Sequence, residues 1–366
     1  MSPANRLSFI PRHFWSPWSK RHHTFAGGFK VSQTTSIGVT SEFNDGGGQV
    51  WDKAVFDQIA AIPNVEITAL PSGPSGATSD DLAAHDILVV RKTGVPKSAF
   101  SNPQSIRTRL IARFGVGYDH IDVDSCTRLG ISLTTTPEGV RRPVASSVVT
   151  LVLALSHRLR EKDLLTRSGE WQAGRNLLGV GLENRVFASI GFGNIAREAF
   201  RLLRPFGMRY MANDPFASKQ HALELGVELA DFETTVQKAD FLAVNCPLTL
   251  KTRHIINSDT FALMKPTAFL INTARGPLVN QDALVDALAL GRIAGAGLDV
   301  FETEPASADN PLFQFDNLIS APHSLCWTDE CARLTSEGVF QSISEFLSDR
   351  PLSYLVNRDV MRHVKA

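Results

Sequence analysis

The chain carries no net charge: 37 Lys and Arg stand against 37 Asp and Glu. Without a basic surplus it exerts no general pull on a polyphosphate backbone, so the electrostatic signature of a nucleic-acid binder is missing. A long apolar run is missing too. A helix needs roughly 20 apolar residues to span a bilayer, and the best stretch, Val148–Leu155 (VVTLVLAL), is short and contains Thr150. It reads as a buried helix, and no membrane partner is expected. Cysteine is scarce, with four in 366 residues. Cys126, Cys246, Cys326 and Cys331 make no CxxC pair, and no histidine cluster has metal-ligand spacing, so no metal is expected. The four read as reduced, buried thiols of a cytoplasmic protein. No Asp or Glu precedes Glu42, whereas Arg6, Arg12, Lys20, Arg21 and Lys30 are basic. That pattern suits an organelle transit segment, here mitochondrial. The few serines and the lack of an amphipathic stripe suit a disordered extension equally well, and both readings stand for residues 1–35. No solenoid repeat and no low-complexity segment is present.

What is present is an ordinary globular composition, 43% hydrophobic and 20% charged, in a chain long enough for two cores. Short apolar strands are predicted at Ser36–Thr40, Val65–Leu70, Asp86–Arg91, Arg109–Phe114 and Ile131–Thr135, with a helix at Val50–Ile62. Strands alternating with helices imply a parallel sheet covered on both faces. One long helix is predicted from Pro143, which suits a first turn, to Arg167. A second alternating unit follows, with strands at Val186–Ile190, Arg209–Asn213, Phe241–Asn245, Ala268–Asn272, Ala296–Val300 and Leu318–Ser320. The stretch Ser324–Asp349 reads as a helix returning to the first unit. The fold class is therefore α/β, with two doubly wound parallel-sheet domains. One domain is split in sequence, 36–142 with 324–366, and the other covers 143–323.

The glycine turn GFGNIA at Gly191–Ala196 is weak alone and specific in its setting. It leaves an apolar strand, VFASI, and opens a helix. Gly191 allows a tight exit from the strand. Gly193 has no side chain to block a pyrophosphate, and the free N–H groups near Asn194 and Ile195 face the anion. Ala196 replaces the usual third glycine and is still small enough for close packing. Asp214 ends the next strand, where a carboxylate accepts bonds from ribose hydroxyls and repels a 2′-phosphate, favouring NAD over NADP.

Five strings resemble the D-isomer-specific 2-hydroxyacid dehydrogenase family: FGVGYDHIDV at Phe114–Val123, GFGNIA, NTARGPLVNQDAL at Asn272–Leu284, AGLDVFETEP at Ala296–Pro305, and APH at Ala321–His323. The resemblance spans about Ser36 to Asp349. It implies a flavodoxin-like catalytic domain beside a Rossmann NAD-binding domain, and a homodimer. It implies a catalytic set of Arg275, Glu304 and His323. Arg275 would bind the substrate carboxylate and touch the neighbouring carbonyl oxygen. His323 would exchange a proton with that oxygen. Glu304 would orient the imidazole and favour its protonated form, with Glu302 a decoy beside it. The backbone N–H groups of Val116 and Gly117 would grip the carboxylate from the other side, and Arg91 is a further candidate for substrate contact. Cys246, Pro247, Thr273 and Ala274 fall at cofactor-lining positions, and Asp299 would hold the nicotinamide carboxamide.

Three departures bear on substrate identity. VAS, ending at Ser146, stands where relatives often have VAE. Arg141 and Arg142 make the preceding stretch more basic. Cys326 and Trp327 follow the histidine where small residues are usual. Cys326 is placed to line the site, but no partner base marks it as a nucleophile. Trp327 either narrows the pocket or fills core. The expected activity is hydride transfer between NAD(H) and a D-2-hydroxy acid/2-keto acid pair, with hydroxypyruvate or glyoxylate reduction as its use. The rival reading is an NAD(H)-sensing corepressor or scaffold that keeps the fold.

Overall fold

A computed structural model of the chain describes residues 34–43, 50–70 and 76–360. All but the last two positions of the basic leader lie outside the described residues, so neither reading of it is addressed. The first unit runs β1 (Thr35–Val39), α1 (Lys53–Ala60), β2 (Val65–Ala69), α2 (Ser79–Ala84), β3 (Ile87–Val90), β4 (Leu110–Arg113), α3 (Val123–Arg128) and β5 (Ser132–Thr134). Then come α4 (Pro137–Ser156) and α5 (Leu159–Arg167). The second unit runs β6 (Val186–Ile190), α6 (Asn194–Leu203), β7 (Arg209–Asn213), α7 (Lys219–Leu225), β8 (Val227–Leu229), α8 (Phe232–Lys238), β9 (Phe241–Val244), α9 (Ser258–Leu263), β10 (Phe269–Asn272), α10 (Gln281–Ala289), β11 (Gly295–Leu298) and β12 (Leu318–Ser320). The last helix is α11 (Asp329–Leu347).

Among the described residues the strands form two sheets, ordered β2-β1-β3-β4-β5 and β12-β11-β10-β9-β6-β7-β8, with every pairing parallel. Parallel strands covered on both faces bury every side chain, as β3 (ILVV), β9 (FLAV) and β10 (FLIN) do. The first order is flavodoxin-like, and the second is the Rossmann order with one added edge strand. Each reverses direction once, between β1 and β3 and between β6 and β9. Such a switch opens a crevice at the carboxyl ends of the strands.

One long helix from Pro143 to Arg167 is not what forms. Helix α4 starts at Pro137, whose missing N–H costs nothing at the first position, and stops at Ser156. Arg158 then takes the left-handed conformation, φ +54°, and α5 sets off anew. Pro143 lies inside α4, where it withholds a donor from the preceding turn. Helix α4 packs between α6 and α11. By length and hydropathy it resembles a membrane span, but Val148, Leu151, Val152 and Leu155 are buried against the second sheet. Contact with α11 is close: a Cβ on Gly139 would lie 2.7 Å from the Thr335 backbone. Helix α11 carries Val339 and Ile343 into the core of the first sheet beside Ile37, Val89 and Leu110. Strand β8 has no counterpart among the predicted strands. It has three residues at a sheet edge, too short to show a period, and it follows Gly226 at φ +67°.

Candidate active site

The glycine turn leaves β6 with Gly191 at φ +100°, and a Cβ there would sit 2.7 Å from the Asn245 backbone after β9. Only glycine fits at that point. A Cβ on Gly193 would meet nothing within 4 Å, so the space in front of the turn is open. Gly193 also makes no side-chain cap for α6, whereas Asp52, Ser218, Asp231, Asn280 and Thr328 each cap their helices. The first N–H groups of α6, at Asn194 and Ile195, therefore point into that space without a capping acceptor, which is the donor set a pyrophosphate needs. Ala196 is fully buried against the sheet. Asp214 has a structural role besides its expected ribose contact. Its two oxygens accept the N–H groups of Phe192 and Phe216, both at 2.8 Å, and so brace the glycine turn. Both oxygens retain a lone pair for a ribose.

The remaining cofactor candidates line the same strand ends. Cys246 and Pro247 follow β9, and burial pushes the Cys246 thiol up to about 11. Thr273 and Ala274 follow β10, and the buried Thr273 Oγ1 has no hydrogen-bond partner among the described residues. Asp299 follows β11 and is 3% exposed, and its Oδ1 accepts the N–H groups of Ser324 (2.9 Å) and Leu325 (3.0 Å). Burial raises its carboxyl above the ordinary range, against the pull of those two bonds. Asp299 thus organises the turn behind His323 while its other oxygen stays available. These donors and open spaces fit a dinucleotide.

His323 follows β12 with φ +53°, unusual for any residue but glycine. Its Nδ1 lies 2.7 Å from Glu304 Oε2, and Glu304 Oε1 accepts the Phe301 N–H at 3.0 Å. Burial pushes the Glu304 carboxyl up, but the bonds from His323 and Phe301 outweigh it, and the group sits below the usual carboxylate range. Glu302, the neighbour, is engaged elsewhere. It contacts His254 Nε2 at 2.5 Å and accepts the Gln281 N–H at the start of α10.

Arg275 follows β10 and reaches the loop after β4. Its Nε donates to Asp119 Oδ1 at 2.9 Å and its Nη1 to the Ala274 carbonyl at 2.7 Å. Nη2 lies against Gly117 so closely that a Cβ there would overlap it, at 1.4 Å. Gly117 is therefore required by the arginine. The carboxyl ends of the two sheets thus meet at Arg275, Gly117 and Asp119, with Val116 exposed beside them.

Two members of this cluster are absent from the residues picked out by sequence. Arg113 ends β4, and its Nε donates to the Gly117 carbonyl at 2.7 Å while Nη1 reaches the Phe114 carbonyl. It shapes the loop that presents the Val116 and Gly117 N–H groups. Burial, then repulsion from Arg275 and Arg91, lowers its pKa to about 10. Asp119 is the carboxylate that aims Arg275. The signal for Arg113 is a charged residue closing an otherwise buried strand, directly before FGVG. Arg91 lies over the Trp327 ring, 4.5 Å from its centroid, and Trp327 also packs on Phe114. Trp327 therefore fills core of the first sheet and steadies Arg91. Arg141 and Arg142 are paired with Glu138 and with the buried Glu198 of α6, each at 2.9 Å.

His120 carries a pH prediction. Burial, with repulsion from Arg113, pushes it from 6.5 down to about 4, and Nε2 has no partner among the described residues. Between those two pH values the unfolded chain binds a proton that the folded chain refuses. Stability is whole above the upper value and falls as pH drops toward the lower, by about 2 kcal/mol at pH near 4.5. His120→Asn should remove that loss, as urea titrations at pH near 7 and near 4.5 would show. Equal acid sensitivity in both proteins would contradict the assignment.

An open glycine turn, an arginine beside a backbone N–H loop and a carboxylate-held histidine are the arrangement expected of a nicotinamide-dependent dehydrogenase of 2-hydroxy acids. Residues 149–324 match the model of the D-isomer specific 2-hydroxyacid dehydrogenase, NAD binding domain. The chain is 36% identical over 295 residues to a glyoxylate reductase of Thermococcus litoralis, covering 79% of this chain and 88% of that protein. It is 35% identical to a D-3-phosphoglycerate dehydrogenase of Methanocaldococcus jannaschii, covering 77% of this chain and 54% of the other. Among solved structures it is similar to an NADPH-dependent glyoxylate/hydroxypyruvate reductase of Sinorhizobium meliloti in complex with NADP and malonate. That likeness has TM-score 0.76 and 26% identity, over 90% of this chain and 98% of that one. The chain belongs to the D-isomer specific 2-hydroxyacid dehydrogenase family. It is an oxidoreductase of CH–OH groups, interconverting a 2-hydroxy acid and its 2-keto acid with NAD(H).

Proposed function

We propose that this enzyme reduces a small 2-keto acid, glyoxylate or hydroxypyruvate, to the D-2-hydroxy acid, preferring NADH. The observation that carries the reading is the 2.7 Å contact of His323 Nδ1 with Glu304, at the strand ends where Arg275 Nη2 abuts Gly117. The substrate carboxylate accepts hydrogen bonds from Nη2 and from the N–H groups of Val116 and Gly117, which lie side by side. Glu304 fixes Nδ1 as the protonated nitrogen, which leaves Nε2 to face the substrate. Nε2 gives its proton to the keto oxygen in reduction and takes it from the hydroxyl in oxidation. Arg275 stabilises the negative charge that grows on that oxygen. The glycine turn and Asp214 would hold NAD(H), which when bound would supply or accept the hydride.

The substrate domain comprises 36–142 and 324–366 and the nucleotide domain 143–323. Helices α4 and α11 form the joint, so that closure between the domains excludes water. Asp214 opposes a 2′-phosphate and supports the NADH preference. Leu159, Leu164, Trp171 and Leu178 are exposed on α5 and the segment after it, an apolar surface supporting a homodimer. A sedimentation mass of one chain would contradict that assembly. The reaction is tested with a panel of 2-keto acids and both dinucleotides. Glyoxylate or hydroxypyruvate should turn over with NADH at least tenfold better in kcat/KM than with NADPH. Absence of turnover with every acid, while NADH binds, would contradict the proposal.

A further inference from the structure

Strand β10 (FLIN) closes on a polar residue. Asn272 ends this inner strand of the second sheet, paired with Val244 of β9 and Leu298 of β11, and it is 1% exposed. A buried amide is costly unless it is hydrogen-bonded. Here both of its ends are bonded to the turn that follows. Oδ1 accepts the Ala274 N–H at 3.0 Å, and Nδ2 donates to the Arg275 carbonyl at 2.9 Å. A backbone N–H only donates and a carbonyl only accepts, so these partners fix which end of the amide is which. Between the two pinned groups lies the Ala274 carbonyl, which takes the bond from Arg275 Nη1 at 2.7 Å.

We propose that Asn272 is the positioning residue that aims Arg275 at the substrate. Its amide holds the peptides before Ala274 and after Arg275, and so sets the direction of the carbonyl between them. That carbonyl and Asp119 are the two acceptors that keep the guanidinium with Nη2 against Gly117. Crowding fixes the far side of the turn: a Cβ on Gly276 would overlap the Phe301 carbonyl oxygen. Phe301 is the residue whose N–H is held by Glu304. The Asn272 carbonyl accepts the Asp299 N–H at 2.9 Å, and Asp299 in turn braces the turn behind His323. One buried residue therefore ties the arginine to the frame that carries the histidine.

The two bonds suit asparagine alone. Aspartate keeps the acceptor but sets a carboxylate against the Arg275 carbonyl. Serine and alanine fall short of the turn, and glutamine adds a methylene where the side chain is already enclosed. Misplacing a substrate-binding group by about 1 Å costs on the order of 100-fold in rate, so the loss appears in turnover. That effect rests on the substrate role proposed for Arg275, but the aiming of the guanidinium does not.

Reduction of glyoxylate and hydroxypyruvate by NADH is measured for the wild type, Asn272→Asp, Arg275→Ala and the double variant. Asn272→Asp should lower kcat/KM by roughly 10–100-fold, with KM raised and kcat lowered together. In the Arg275→Ala background the same change should cost less than about threefold, because no guanidinium remains to be aimed. A residue that merely supports the sheet would cost the same factor in both backgrounds, and that result would overturn the proposal. So would a native kcat/KM in Asn272→Asp. Asn272→Ser, which adds no charge, serves as the second variant should the first fold poorly. If the wild type reduces neither acid, the substrate reading has failed on its own. A crystal structure of Asn272→Asp then decides the positioning: a displaced Arg275 side chain supports it, and a guanidinium still on Asp119 and the Ala274 carbonyl overturns it.

Discussion

Arg275→Ala should lower kcat/KM for 2-keto acid reduction by roughly 10²–10³-fold, the equivalent of about 3–4 kcal/mol of lost transition-state stabilisation. The reason lies in how the guanidinium is held. Nε is fixed by Asp119 and Nη1 by the Ala274 carbonyl, so Nη2 is presented against Gly117 in one orientation. A fork aimed in advance binds a carboxylate without first losing side-chain freedom. Alanine removes that donor and also strands Asp119, leaving a carboxylate beside an anionic substrate. KM should therefore rise and kcat fall together. NADH affinity, read by fluorescence titration, should stay within about twofold, because the glycine turn and Asp214 belong to β6 and β7. Arg275→Lys restores charge without the fork and should recover only part of the loss. A variant with near-native kcat/KM would remove the arginine from the substrate site.

His323→Ala should act on kcat, by about 10²–10⁴-fold, the span typical of a lost general acid. Its pH–rate profile should flatten across the neutral range, since the group that must be protonated for reduction and neutral for oxidation is gone. Glu304→Gln separates orientation from charge. The amide oxygen can still receive the Nδ1 proton, but it no longer favours the charged ring. Reduction should then slow, because the carboxylate, held below the usual range by the bonds from His323 and Phe301, no longer lies charged beside the ring. Unchanged rates in both variants would place proton transfer elsewhere.

Most of the fold is legible in the sequence because its strands are short apolar runs that parallel sheets bury on both faces. The predicted bounds of β6, β7 and β12 are those the structure has. What sequence does not carry is set by tertiary contact. The break at Arg158 leaves no mark in helical periodicity, since Leu155 and Leu159 keep the spacing on either side. Pro143 reads as a helix start because a proline is best tolerated there, yet Pro137 holds that place. Glu198 lies on a face that periodicity assigns to apolar residues, and its pairing with Arg142 and Arg201 accounts for its burial. In the site, the residues proposed to carry the chemistry have recognisable strings around them, so Arg275, Glu304 and His323 can be proposed from sequence. Asp119 and Arg113 cannot be assigned by type, because each works by holding something else: one the guanidinium of Arg275, the other the carbonyls of the loop.

The most direct test is a crystal structure of the complex with NAD⁺ and an unreactive 2-keto acid analogue. The account predicts the analogue carboxylate on Arg275 Nη2 and the N–H groups of Val116 and Gly117. Its keto-type oxygen should lie within hydrogen-bond reach of His323 Nε2, and the pyrophosphate at Gly193 and Asn194. An analogue bound away from Arg275, or with its oxygen out of reach of His323, would contradict it.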